Sequence, residues 1–149
     1  MRAGTMGANP PTSLRMKTQA VLTLEDTRAI AAAAEGEATK NSWAVTIAIV
    51  DGGGHLLWLQ RLDGAAPISS EIAPAKARTA ALGRRESKVY EDMINGGRVS
   101  FLSAPLQGLL EGGVPILVDR QCVGAVGVSG VKSTEDAQIA RAGIAALGL

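Results

Sequence analysis

Cysteine, histidine and aromatic side chains are nearly missing from this chain of 149 residues, which holds one Cys, one His, two Trp, one Tyr and one Phe. The lone Cys122 forms no internal disulfide, so the fold does not depend on an oxidising compartment. One His and one Cys cannot supply the four nitrogen or sulfur ligands of the usual structural zinc site. Any Ser-His-Asp or Cys-His arrangement would have to pass through His55, the only imidazole in the chain. An excess of one charge is missing too: 15 Lys and Arg stand against 14 Asp and Glu, a formal net charge of +1. A nucleic-acid binder normally carries a basic excess or stripe, and neither is present. No apolar run approaches the roughly 20 residues that span a bilayer. The soluble cytoplasm is therefore the expected location.

Small residues are plentiful. There are 18 Gly, and 46% of positions are hydrophobic, well away from the charge-rich, apolar-poor composition of disordered chains. The length suits one domain of ordinary size. The opening stretch MRAGTMGANPPTSLR is polar, carries Pro and Gly, and lacks the apolar core of a secretory signal. Residues 1–20 therefore read as a disordered extension, followed by a single domain over 21–149.

Thr23 and Asp26 have the spacing of a capping box, which predicts a helix from about Leu24 to Thr39. The β-branched run within Trp43–Val50 predicts a strand. Asp51-Gly52-Gly53-Gly54 breaks it, and His55–Leu62 resumes it as the second arm of a hairpin. A helical stretch follows over about Ser70–Leu82, with Pro74 expected in its first turn, and a shorter one over Ser87–Ile94. Arg98–Gly113 reads as loop mixed with a short strand. Val114–Val118 and Cys122–Ser129 form a second hairpin, and Ser133 with Asp136 opens a closing helix. Tight hairpins require antiparallel pairing. The expected fold is α+β: an antiparallel sheet of four to five strands with helices packed over it in layers. Gly124, Ala125, Gly127 and Ser129 are all small, which lets an Ala-rich helix sit close to the last strand.

Several motifs in order resemble the GlcG/HbpS family, which also forms the C-terminal domain of PduO-type proteins. They are Val50-Asp51-Gly52-Gly53-Gly54-His55-Leu56, Arg61-Leu62-Asp63-Gly64-Ala65, Ala75-Lys76-Ala77-Arg78-Thr79-Ala80, Gly112-Gly113-Val114-Pro115-Ile116, Val123 to Gly130, and Asp136. The resemblance spans about Val21–Leu147. It implies a layered fold with an antiparallel sheet, a homo-oligomer (an octamer in HbpS), and binding of haem or another tetrapyrrole. It also implies an origin beside catabolic genes.

The residues themselves offer a short set of candidates. His55 is the natural haem or metal ligand or general base; otherwise it is a solvated turn residue. Arg61, at the end of its strand, presents a planar fork for a carboxylate such as a haem propionate or an organic acid; otherwise it pairs with Asp63 or Glu71. His55 and Arg61 lie about 20 Å apart along one strand and cannot share one small substrate. Lys76 and Thr79 share a helix face, and a helix starting near Pro74 would put Lys76 where free N–H groups and a cation favour an anion. Gly112 and Gly113 can expose backbone amides to a ligand, or simply form a tight turn. Cys122 reads as a core residue. Met93, Tyr90 and Cys122 complete the iron-ligand candidates, and so few aromatic walls would have to be supplemented across a subunit interface.

Two functions follow from these candidates. One is a ligand-binding protein with a small anionic ligand or tetrapyrrole held among Arg61, Lys76, Thr79, Gly112 and Gly113. The other is a cofactor-independent catabolic enzyme in which Arg61 holds an organic acid and Asp63, Lys76 or Glu111 moves a proton. A non-catalytic accessory role is the third.

Overall fold

A computed structural model of the chain describes residues 15–149; the extension expected over 1–20 lies largely outside them. Helix α1 (Leu24–Lys40) opens on the expected capping box. The Thr23 hydroxyl accepts from the Asp26 amide at 3.1 Å, and the Asp26 carboxylate accepts from the Thr23 amide at 2.8 Å. Two hairpins follow in order, β1 (Thr46–Asp51) with β2 (Leu56–Arg61), and β3 (Gly113–Val118) with β4 (Gln121–Ser129). Between them come α2 (Ser69–Gly83), α3 (Lys88–Asn95) and a 3-10 helix (Val99–Ser103), and α4 (Ser133–Ala145) closes the chain. The four strands form one antiparallel sheet in the order β2-β1-β4-β3.

Strand alternation sorts the core into two layers. Ile47, Ile49, Val126 and Val128 face α1 and α4, where they meet Ile30, Ala34, Ile139 and Ala140. Ala48, Val50 and Ala125 face α2 and meet Ala73, Ala77, Ala80 and Ala81. The second contact is unusually close. A Cβ at Gly127 would overlap the Ala73 carbonyl oxygen and the Ala77 nitrogen, so α2 rests on the sheet backbone itself.

Three local expectations are corrected. Pro74 lies in the second turn of α2, because the helix starts at Ser69; the Ser69 hydroxyl, 2.7 Å from that of Thr46, ties this start to β1. Arg98–Gly113 contains the 3-10 helix and no strand before Gly113. It is pinned by aromatic stacking: Tyr90 and Phe101 lie 4.9 Å apart, with Arg85 over the Tyr90 ring and Arg98 over the Phe101 ring. In α4 the box-like partner of the helix start is Glu135, which accepts from the Lys132 amide at 3.3 Å, whereas Asp136 accepts from the Val131 amide and not from Ser133. The second hairpin turns on Asp119 and Arg120, whose φ values of 50° and 65° match a type I′ turn.

Candidate functional site

Lys76 lies mid-helix on the face of α2 turned toward the sheet, not at a helix start. It is buried, and its amine donates to the Asp136 carboxylate at 2.9 Å and to the Val128 carbonyl at 3.0 Å. Asp136 also accepts from the Val131 amide at 3.1 Å. Burial pushes the Asp136 carboxyl above its ordinary range, against the opposing pull of Lys76. Gly112, at φ +134°, packs onto this amine: a Cβ there would come within 2.7 Å of Lys76 Nζ. Gly113 lies against the Lys76 carbonyl, and its amide donates to the Ser87 hydroxyl at 2.8 Å. Lys76, Gly112 and Gly113 thus meet as expected, but the lysine amine and the Gly113 amide are engaged inside the fold. Glu111 is buried beside them in sequence.

Arg61 and Asp63 lie elsewhere. Arg61 ends the edge strand β2 opposite Thr46, and Thr46 is opposite Ser129. Gly112 bonds to Val128 on the far side of β4. Three strand spacings, about 14 Å, therefore separate Arg61 from the glycine turn. Its Nε donates to the Ala65 carbonyl at 3.2 Å, and no ion pair joins it to Asp63 or Glu71 among the described residues. Asp63 is exposed at a separate hollow beside Trp43 and Leu62.

His55 stands in the turn between β1 and β2, with its side chain 81% exposed. Its Nδ1 is 3.1 Å from Asp51 Oδ1. A carboxylate only accepts, so Nδ1 is the donor in this bond, and in the neutral imidazole Nε2 is then the free acceptor. The same oxygen accepts from the Gly53 and His55 amides, each at 2.9 Å. Desolvation works to raise the Asp51 carboxyl, but these N–H bonds outweigh it and hold the group below its ordinary range. An imidazole steered by a carboxylate at one nitrogen is the usual arrangement of a metal-binding histidine.

The turn borders a hollow of about 680 Å³ between α2 and the segment 102–107. Gly54 and Leu56, the chain neighbours of His55, line it, together with Val50, Leu102 and Leu106. Arg78 and Thr79 reach it from α2. Thr79 is the one proposed ligand-binding residue placed here, and its hydroxyl is the one buried side-chain polar atom without a hydrogen-bond partner among the described residues. Arg78 is the residue that sequence reasoning passed over. Its neighbours Arg84 and Arg85 make it look like one more solvated charge, and only the approach of the hairpin gives it a cavity.

The residue types that a haem site uses stand at and beside this hollow: Val50 and the leucines line it, Arg78 offers a cation for a propionate, and His55, next to the lining and not part of it, carries the imidazole. Of the other iron-ligand candidates, Tyr90 is buried in the aromatic stack. The Cys122 thiol donates to the Gly124 carbonyl at 3.3 Å, and burial pushes it up, away from the thiolate form.

Comparison with known proteins agrees with the topology. Residues 22–145 match the family described as "Haem degrading protein HbpS-like". The chain belongs to this HbpS-like family. It is 58% identical to protein GlcG of Escherichia coli strain K12 over 114 residues, 76% of this chain and 85% of that protein. The crystal structure of a double mutant of Streptomyces reticuli HbpS superposes with a TM-score of 0.81 at 32% identity, covering 95% of this chain and 99% of that one. A crystal structure described as a PduOC:Heme complex gives 0.78 at 30% identity, covering 85% and 95%. As in those HbpS-like relatives, the fold is α+β with an antiparallel sheet. No helix among the described residues is long and apolar enough to cross a membrane.

Proposed function

We propose that this HbpS-like protein binds haem or a related tetrapyrrole at the hollow beside the β1–β2 turn. The observation that carries the reading is the Asp51-steered imidazole of His55, flanked by two residues that line a cavity with both apolar and polar walls. The relative whose structure is described as a haem complex supports it. His55 would ligate the iron, and Arg78 would meet a propionate. Bound haem would supply a redox-active iron. Self-association belongs to the same proposal, since Leu56, Leu57 and Leu59 of the edge strand β2 are exposed apolar side chains.

Titration with haemin tests this. A saturable Soret shift in the wild-type chain, weakened or altered in His55→Ala, is the expected result. No saturable shift in the wild type would remove the haem reading, and an unchanged spectrum in the variant would remove His55 as ligand. Light scattering tests the oligomer: a monomer at tens of micromolar would count against it.

A further inference from the structure

The hollow contains polar groups that iron ligation by His55 does not use. Thr79 is fully buried, and its hydroxyl has no partner among the described residues. A buried hydroxyl left unpaired is a net cost to the fold and calls for a reason. Arg78, the preceding residue, forms no ion pair with any described residue. Its stem passes over Gly54, where a Cβ would lie 3.0 Å from Arg78 Cγ. Glu71 lines the same hollow two helical turns earlier, about 10 Å along the axis. The lining therefore holds a cation and a carboxylate two helical turns apart, together with leucines.

Such a surface is complementary to a molecule with one anionic end and an apolar body. Glu71 repels the anion and directs it to Arg78. A planar guanidinium matches a carboxylate two bonds to two, and a single cation balances a monoanion better than a phosphate dianion. The volume of about 680 Å³ lies within the range of small-ligand sites.

We infer that the hollow recognises amphipathic carboxylic acids through Arg78 and Thr79, with no iron required. This deepens the tetrapyrrole reading and rests on the same cavity, but not on His55. Calorimetric titration with octanoate, with octanol as the uncharged control, tests it. Octanoate should bind at least tenfold more tightly than octanol, and Arg78→Gln, an exposed position, should abolish that preference. Thr79→Val should weaken octanoate several-fold while raising the thermal midpoint of the unliganded chain, because the orphan hydroxyl is gone. Equal binding of octanoate and octanol by the wild type overturns the inference. A Thr79→Val chain that is stabilised and binds octanoate unchanged removes Thr79 from the site. Haemin binding without octanoate preference defeats this inference alone, and octanoate preference without haemin binding defeats the tetrapyrrole reading alone.

Discussion

The Lys76 amine and the Asp136 carboxylate stand 2.9 Å apart, both almost fully buried, although 60 residues separate them in the chain. The pair joins α2 to the start of α4, and the Val128 carbonyl adds β4 to the same knot. Removing one partner leaves the other charge buried and alone. Asp136→Ala should cost about 3–5 kcal/mol of stability, whereas replacing both residues with apolar ones should cost less. Urea unfolding of both singles and the double checks this. Additive losses would show that the two residues are not coupled.

The glycine contact under α2 makes a second prediction. Gly127→Ala forces the helix off the sheet and should destabilise by about 1–3 kcal/mol or more, the cost of overpacking. Gly36 in α1 has nothing within 4 Å of a new Cβ, so Gly36→Ala should stabilise by about 0.5–1 kcal/mol. Thermal midpoints moving in opposite directions would confirm the contrast.

Asp51 gives a pH dependence. Its folded carboxyl ionises more readily than the unfolded one, once the His55 and Gly53 amides outweigh desolvation. Its contribution is therefore complete above the ordinary carboxylate range and fades as pH falls through the lowered folded value. The group is largely solvated, so the effect should stay under about 1 kcal/mol. The stability gap between wild type and Asp51→Ala should be larger near pH 6 than near about pH 2. A gap that grows on acidification would contradict this.

The stack of Arg85, Tyr90, Phe101 and Arg98 holds the 3-10 helix against α3. Tyr90→Ala should cost about 3 kcal/mol or more, and Arg98→Ala about 0.5–1 kcal/mol. Phe101→Ala should also speed hydrogen exchange in residues 102–107, which form one wall of the hollow. Unchanged exchange there would show that the wall stands without the stack.

The hairpins and the Thr23 cap could be read from residue order, because each depends on neighbours within a few positions, and the small residues Gly124, Ala125 and Gly127 marked β4 as a strand that a helix can approach closely. The site was less legible. Lys76 and Thr79 have the spacing of one helix face, yet the lysine turns inward to Asp136 while Thr79 lines the hollow. Nothing in the sequence links positions 76 and 136. Arg61 and the glycine turn fall at the same level of the sheet but on opposite edge strands, a separation that only strand order reveals. Residues 102–107 lack periodicity, so the cavity they close was invisible until α2 and the first hairpin were placed beside them.

Alanines against a glycine strand also decide where the molecule can give. A contact made by backbone has no rotamers to exchange, so α2 cannot slide or tilt without parting from β4. Arg78 and Thr79 therefore ride on a fixed rail, whereas the facing wall is a loop held by the Tyr90–Phe101 stack. Of the two walls of the hollow, the loop is therefore the one that can give way.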